Sequence, residues 1–233
     1  MKPGRPNRGV RGHATAASEP MRIEWASPKQ EQAFRYGPVG AGEAKLIDGI
    51  YRGGGPICCS GGFNAAKTFG FCLKSLWLSD TFPRNRGIIF RKVCKELEAT
   101  TMSTFYKLCP PAAYAEGRRS DSEYYLRLNN GSEILFMHMD AVETENIVRG
   151  LEINWFLGDQ AEEIEEEIFD RLLTRLGRWD QTHVPEWLIA QEGGLDNWPW
   201  KNPVTGVPMA PIYAMLTCNP DTEMHWIYRR FHP

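Results

Sequence analysis

No apolar run in the 233-residue chain approaches the ~18 residues of a membrane-spanning helix, so the sequence predicts no membrane association. The N-terminus is basic and rich in Gly and Pro, but it lacks the apolar centre of a signal peptide. Charge of one sign is also missing. The 27 Lys and Arg stand against 29 Asp and Glu, for a formal net charge of −2. That balance excludes a generally basic nucleic-acid coat and leaves any DNA contact to local patches. The six cysteines (Cys58, Cys59, Cys72, Cys94, Cys109, Cys218) form no Cys-x-x-Cys pair. The five histidines (His13, His138, His183, His225, His232) show no ligand spacing. A structural zinc site is therefore not expected, and the cysteines are expected to be reduced, buried thiols of a cytosolic protein. There is no internal repeat.

What is present is enough for a sizeable core, with 42% hydrophobic and 12% aromatic residues in a chain long enough for one large domain or two small ones. Residues 1–20 read as a disordered basic arm, and residues 21–233 as the folded part. A helix start is expected over 27–35, with Ser27 as N-cap and Pro28 at N1. "PICCS" (56–60) and "GIIFR" (87–91) read as buried strands, each followed by helical spacing. "EYYLRL" and "SEILFMHM" flank Asn130-Gly131 as a hairpin. "INWFLG" (153–158) is a further strand, followed by a Glu-rich helix over roughly 163–176. A Gly/Pro/Trp-rich insertion (187–208) has no clear period, and "IYAMLTCNP" (212–220) supplies the last strand. Strands alternating with helices predict an α/β fold with a largely parallel sheet.

Two stretches carry chemistry. Gly61-Gly62-Phe63-Asn64-Ala65-Ala66-Lys67-Thr68 follows a strand and opens a helix. Such a loop offers backbone N–H groups to phosphates, a Lys to the β/γ oxygens and a hydroxyl to Mg²⁺, with the helix N-terminus favouring the anion. Ala66 stands where the Gly before the Lys is normally found, which is tolerable if its φ is negative. The alternative is a Gly-containing turn with a solvated Lys, and these residues alone leave both readings open. The second stretch is Asp159, at the end of an apolar strand. It suits a carboxylate that holds Mg²⁺ through water. Gln160 follows it, where a water-activating Glu is expected; an amide orients water but cannot take its proton. Glu162 and Glu163 lie within a turn of the same point, although glutamates over 162–167 are also what a solvated, dipole-favoured helix start contains.

Taken together, "SPKQEQAF", "GGFNAAKT", "IIFRK", "NIVRGLEINWFLGDQAEEI" and "LTCNPDTEMHWIYRRF" resemble, in order and spacing, the ATPase domain of a tailed-phage terminase large subunit, the motor that packages viral DNA. The resemblance implies an ASCE-type P-loop NTPase, with a central, mainly parallel β-sheet flanked by helices, acting on ATP with Mg²⁺. It assigns Gln30 to the adenine, residues 61–68 to the phosphates, and Thr68 with water-linked Asp159 to the metal. Arg149, eleven residues before Gln160, matches an arginine that reaches a neighbouring subunit's ATP. Thr217 and Asn219 match a coupling motif that senses the γ-phosphate. Three departures stand out: Ala66 for the loop Gly, Phe63 where many relatives carry Arg, and Gln160 for the catalytic Glu. Gln160 is either an introduced substitution that traps ATP or a natural variant that leaves Glu162 or Glu163 as the base, and the rest of the sequence, in which nothing else looks engineered, favours the natural variant.

The implied partners are double-stranded DNA held by its backbone, a terminase small subunit, a portal protein and further copies in a ring. The implied setting is the host-cell cytoplasm, docked transiently on the procapsid portal. The family's RNase H-like nuclease half is not expected in this chain, nor is cutting activity. Candidate DNA contacts are Arg118-Arg119 and the set Arg171, Arg175 and Arg178, expected on one helical face at i, i+4, i+7 or else paired with glutamates one turn earlier. Trp187, Trp198 and Trp200 are expected in a lid or a subunit interface. Rival readings are a nucleotide-binding interaction module without turnover and a helicase-type P-loop ATPase.

Overall fold

A computed structural model describes residues 28, 34, 45–47, 50–52, 56–61, 66–119, 124–139, 141–202, 205–219 and 222–231. The basic arm, Gln30 and residues 62–65 therefore lie outside the described residues, as does most of the expected helix over 27–35, of which Pro28 and Phe34 are helical. A small antiparallel ribbon pairs β1 (Lys45–Ile47) with β2 (Ile50–Arg52). The main body then runs β3 (Ile57–Ser60), α1 (Lys67–Thr81), β4 (Arg86–Arg91) and α2 (Cys94–Glu96). A π-helical stretch, Leu97–Met102, leads into α3 (Ser103–Leu108). There follow β5 (Tyr114–Arg119), β6 (Tyr124–Leu128), β7 (Glu133–His138), α4 (Ala141–Arg149), β8 (Trp155–Gly158), α5 (Glu166–Leu173), α6 (Glu186–Gln191), β9 (Tyr213–Cys218) and α7 (Trp226–Phe231).

Among the described residues, seven strands form one sheet in the order β3-β9-β8-β4-β7-β6-β5. The pairs from β3 through β9, β8 and β4 to β7 are parallel, and β7-β6-β5 is an antiparallel edge. Parallel strands covered on both faces need apolar side chains at every position, which is why "GIIFR", "WFLG" and "YAMLTC" read as unbroken apolar runs. The pleat splits each run between two cores. Ile89, Trp155, Leu157, Tyr213 and Met215 pack with Phe71, Leu76 and Phe105. Ile88, Phe90, Phe156, Ala214 and Leu216 pack with Ile168, Phe169 and Trp226 on the other face. Gly87 makes room for the largest of these side chains, since a Cβ there would stand 1.9 Å from Cε2 of Trp155. The hairpin turn is tied to the end of α1, with Asn130 Nδ2 donating to the carbonyls of Ser79 at 2.8 Å and Asp80 at 2.9 Å. Gly131 takes the left-handed turn position with φ 84°.

Two expectations are corrected. The helix over 163–176 is a 3-10 turn, Ala161–Glu163, followed by the shorter α5. The backbone leaves the helix after Leu173 because Leu176 bridges to Ile153, and Gly177, at φ 73°, donates to the Ile153 carbonyl. Arg171, Arg175 and Arg178 therefore do not share a helical face. Arg175 donates to the Arg149 carbonyl at 2.9 Å, and Arg178 to that of Thr174 at 2.8 Å. The Trp-rich insertion is also different. Trp198 is buried in the main core, donating to the Met209 carbonyl at 3.0 Å, with Trp200 edge-on at 5.2 Å. Those two rings pack against their own chain; Trp187 is exposed. The backbone of Arg118 and Arg119 lies on β5, at the outer edge of the sheet. Among the described residues no helix is long and apolar enough to cross a membrane.

Candidate nucleotide-binding site

In an open parallel sheet, ligands bind beyond the carboxyl ends of the strands. At those ends stand Gly61 after β3, Asn219 after β9, Asp159 and Gln160 after β8, and Arg91 closing β4. Between them opens a cleft of about 390 Å³, lined by Ala66, Lys67, Thr68, Arg91, Asp159, Gln160, Thr217 and Asn219, among others.

Ala66 is the N-cap of α1 at φ 50°, ψ 28°. The condition under which Ala is readily tolerated here, a negative φ, is thus not met. The turn from loop into helix needs a left-handed residue, and an L-residue there costs roughly 1–2 kcal/mol that Gly would not. The helix starts regularly despite this, with the Gly70 amide donating to the Ala66 carbonyl at 3.1 Å. Lys67, the first residue of α1, turns its ammonium back towards the end of β3. It donates to the Gly61 carbonyl at 2.6 Å and to Asn219 Oδ1 at 3.1 Å.

Thr68 donates its hydroxyl to Asp159 Oδ1 at 2.8 Å. Asp159 is nearly fully buried and is held by two more hydroxyls: Thr217 on Oδ1 and Thr101 on Oδ2, each at 2.5 Å. Three donors satisfy a charge that would otherwise be costly to bury. Gln160 also has a left-handed backbone, with φ 52°, and its amide donates to Thr217 Oγ1 at 3.2 Å. Its Oε1 is buried with no hydrogen-bond partner among the described residues.

Glu162 and Glu163 both reach this neighbourhood, in different ways. One oxygen of Glu162 accepts from the backbone and side-chain amides of Asn219, at 3.2 and 3.0 Å, and its Oε2 is buried without a partner among the described residues. The carbonyl of Glu162 lies 3.0 Å from Nε2 of His225. Glu163 sits 4.0 Å from the guanidinium of Arg91, and burial pushes its carboxyl above the ordinary value while Arg91 opposes the rise. Arg91 is buried, paired with Glu96 at 2.6 Å and donating to Thr100 at 2.7 Å. Arg149, the last residue of α4, is exposed and is not among the residues lining the cleft.

The structure thus brings together Gly61, Ala66, Lys67, Thr68, Asp159, Gln160, Glu162, Glu163, Thr217 and Asn219, drawn from three strand ends and the start of α1. Sequence reasoning missed Thr101, Arg91 and His225. Arg91 was readable by the logic applied to Asp159, a polar residue closing an apolar strand. Thr101 had no such signal, because the π-helical stretch that turns it towards Asp159 follows from tertiary packing. Among the described residues no three His, Cys, Asp or Glu side chains converge as a metal cluster. One hydroxyl beside one carboxylate nevertheless fits Mg²⁺, which keeps several waters and uses one or two carboxylates plus substrate phosphates.

Fold and strand-end site together define a class: a mixed α/β fold with a mainly parallel sheet and a lysine, a hydroxyl and a carboxylate gathered beyond its strand ends, similar in fold to large terminases of known structure. Among solved structures, the chain is similar to the large terminase of a thermophilic bacteriophage. One crystal form matches with a TM-score of 0.55 at 15% identity, over 87% of this chain and 40% of that one. A second form gives 0.54 at 15% identity, over 75% and 36%. The same terminase in complex with ADP gives 0.51 at 16% identity, over 75% and 36%. This chain therefore spans well under half the length of the terminase it matches, and the likeness is one of fold. No family model matches the chain, and no curated protein matches it in sequence.

Proposed function

We propose that the chain is the ATP-hydrolysing part of a terminase-type DNA-packaging motor. The observation that carries this reading is the Thr68–Asp159 contact. It joins residues 91 positions apart at the mouth of the sheet, beside the ammonium of Lys67. Lys67 would exchange Asn219 Oδ1 for phosphate oxygens of ATP, while Thr68 and Asp159 would hold Mg²⁺. When bound, the cation neutralises phosphate charge and helps to stabilise the transition state. Gln30 is assigned to the adenine and residues 61–66 to the phosphates.

The water has two kinds of neighbour. On this reading Gln160, which borders the cleft, would orient it through its unpartnered amide oxygen. Glu162, half-buried outside the cleft lining beside Asn219, would take its proton through its unpartnered carboxylate oxygen. Asn219 fixes the other oxygen of Glu162, so Glu162 is the better placed base than Glu163. Arg149 is exposed, as expected of an arginine that serves the site of a neighbouring copy, where it would supply transition-state charge. Thr217 touches both Asp159 and the Gln160 amide, and Asn219 touches both Lys67 and Glu162. Such contacts suit residues that pass on the loss of the γ-phosphate. Translocation of double-stranded DNA, assembly into a ring, and docking with a small subunit and portal in the host cytoplasm complete the proposal for the longer assembly.

A second reading has one observation in its favour: an amide, not a carboxylate, follows Asp159. A nucleotide-binding interaction module would bind Mg·ATP through Lys67 and Thr68 without turnover. Single-turnover hydrolysis by the wild-type, Gln160→Glu, Glu162→Ala and Glu163→Ala proteins separates the two. The motor reading expects wild-type turnover that Glu162→Ala removes. The module reading expects binding alone, with or without DNA.

A further inference from the structure

Beneath the cleft, two cysteines from neighbouring parallel strands meet. Cys58 lies on β3, one residue before Cys59 and three before Gly61; Cys218 is the last residue of β9, directly before Asn219. In the β3–β9 register Cys58 faces Leu216 and Ser60 faces Cys218, so the two cysteines are diagonal neighbours on one face of the sheet. Their sulfurs are 3.4 Å apart in a thiol–thiol hydrogen bond. Both are free thiols: Cys218 is buried but borders the cleft, and the half-buried Cys58 packs against the core on the same face of the sheet.

We propose that Cys58 and Cys218 form an oxidisable dithiol under the nucleotide cleft, converted by peroxides into a reversible disulfide. The small solvent-borne oxidant reaches Cys218 from the cleft. The Cys218 thiolate attacks one oxygen of hydrogen peroxide, the O–O bond breaks, and the hydroxide leaves as water on taking a proton; the product is a sulfenic acid. The Cys58 sulfur then attacks that sulfenic sulfur, the S–O bond breaks, the hydroxyl takes the Cys58 proton, and a second water leaves. Two thiols have lost two electrons to one peroxide. Polarity favours this direction. The Cys58 hydrogen bond holds the Cys218 thiol below its ordinary value, and Lys67 adds to the effect, whereas the same bond and burial push Cys58 up.

The consequence for the site follows from geometry. A disulfide needs its sulfurs at about 2.05 Å, so they must close from the present 3.4 Å, by side-chain rotation and by a pull on β3 and the end of β9. Gly61 and Asn219, the two acceptors of the Lys67 ammonium, follow directly on those ends. Oxidation therefore disturbs the seat of Lys67, which on the reading above is the seat of the phosphates. That last step rests on the proposed nucleotide site; the cross-link itself does not.

The test treats the protein with hydrogen peroxide, blocks the remaining thiols, and maps peptides without reduction. The expected result is a Cys58–Cys218 linked peptide that dithiothreitol abolishes. Cys58→Ser should instead leave Cys218 as a sulfenic acid trapped by dimedone. A non-hydrolysable ATP analogue should bind the oxidised protein about tenfold more weakly, with recovery on reduction. Both thiols alkylated after peroxide has oxidised other cysteines, or linkage to a different cysteine, overturns the proposal without the need for any variant. A cross-link that forms but leaves analogue binding unchanged overturns the link to the nucleotide site. Failure of the reduced protein to bind the analogue at all counts against the nucleotide reading and leaves the cross-link result standing.

Discussion

Asn219 donates both its backbone and its side-chain amide to a single carboxylate oxygen of Glu162, at 3.2 and 3.0 Å, while its own Oδ1 accepts from Lys67 at 3.1 Å. One side chain thus links Lys67 to the carboxylate proposed as the base. The two donors fix one oxygen of that carboxylate, and on the proposed reading its other oxygen is the one that acts on the water. Asn219→Ala removes the side-chain donor and the Lys67 acceptor together. The expected outcome is a hydrolysis rate lowered about 10²-fold, typical for a lost positioning group, with ATP affinity changed little. Steady-state kcat and KM, with analogue binding by fluorescence, check it.

Ala66 makes the opposite kind of prediction. Its φ of 50° is the conformation in which Gly is at ease. Ala66→Gly is expected to stabilise the protein by about 1 kcal/mol, a rise in Tm of roughly 2–4 °C for a chain of this size. Thermal unfolding followed by circular dichroism measures it.

Gly87 admits no side chain. A Cβ would stand 1.9 to 2.3 Å from three atoms of the Trp155 ring, which is itself fully buried. Gly87→Ala is expected to destabilise by about 3 kcal/mol or more, the upper part of the range for overpacked cores. Gly87→Ala together with Trp155→Phe should recover part of the loss, as read from denaturant midpoints.

Glu163 gives a pH signature. Burial raises its carboxyl above the ordinary 4.5 in the folded chain. The folded state therefore holds this proton more tightly than the unfolded state. The group's effect is neutral below 4.5, and stability falls as pH rises from there through the raised value. Glu163→Gln should match the wild type in Tm at the acidic end and exceed it increasingly as pH rises through that window, with a plateau above it.

Much of this was legible in the sequence, for a physical reason. Strands buried on both faces must be apolar throughout, so β4, β8 and β9 stood out, and so did the polar residue closing β8. The placement of Lys67-Thr68 at a helix start was legible from the apolar run before it and the helical spacing after it, although those residues alone left a plain Gly-containing turn open. The sign of φ at Ala66 was not legible, because one methyl does not report backbone handedness. Nor was the end of α5, set by the bridge between Ile153 and Leu176. Cys58 and Cys218 stand 160 positions apart. Only the β3–β9 pairing, itself set by chain topology, makes them neighbours. The choice between Glu162 and Glu163 likewise depends on Asn219, which reaches Glu162 from another strand.

The central claim is that this strand-end site hydrolyses ATP with Glu162 as the base. The most direct measurement is single-turnover hydrolysis of Mg·ATP by the wild-type and Glu162→Ala proteins, with double-stranded DNA and at concentrations that allow assembly. The account predicts turnover by the wild type, lowered about 10²–10⁴-fold in Glu162→Ala, with ATP still bound. Wild-type protein that binds Mg·ATP and never hydrolyses it, or a Glu162→Ala protein as fast as wild type, would contradict the account.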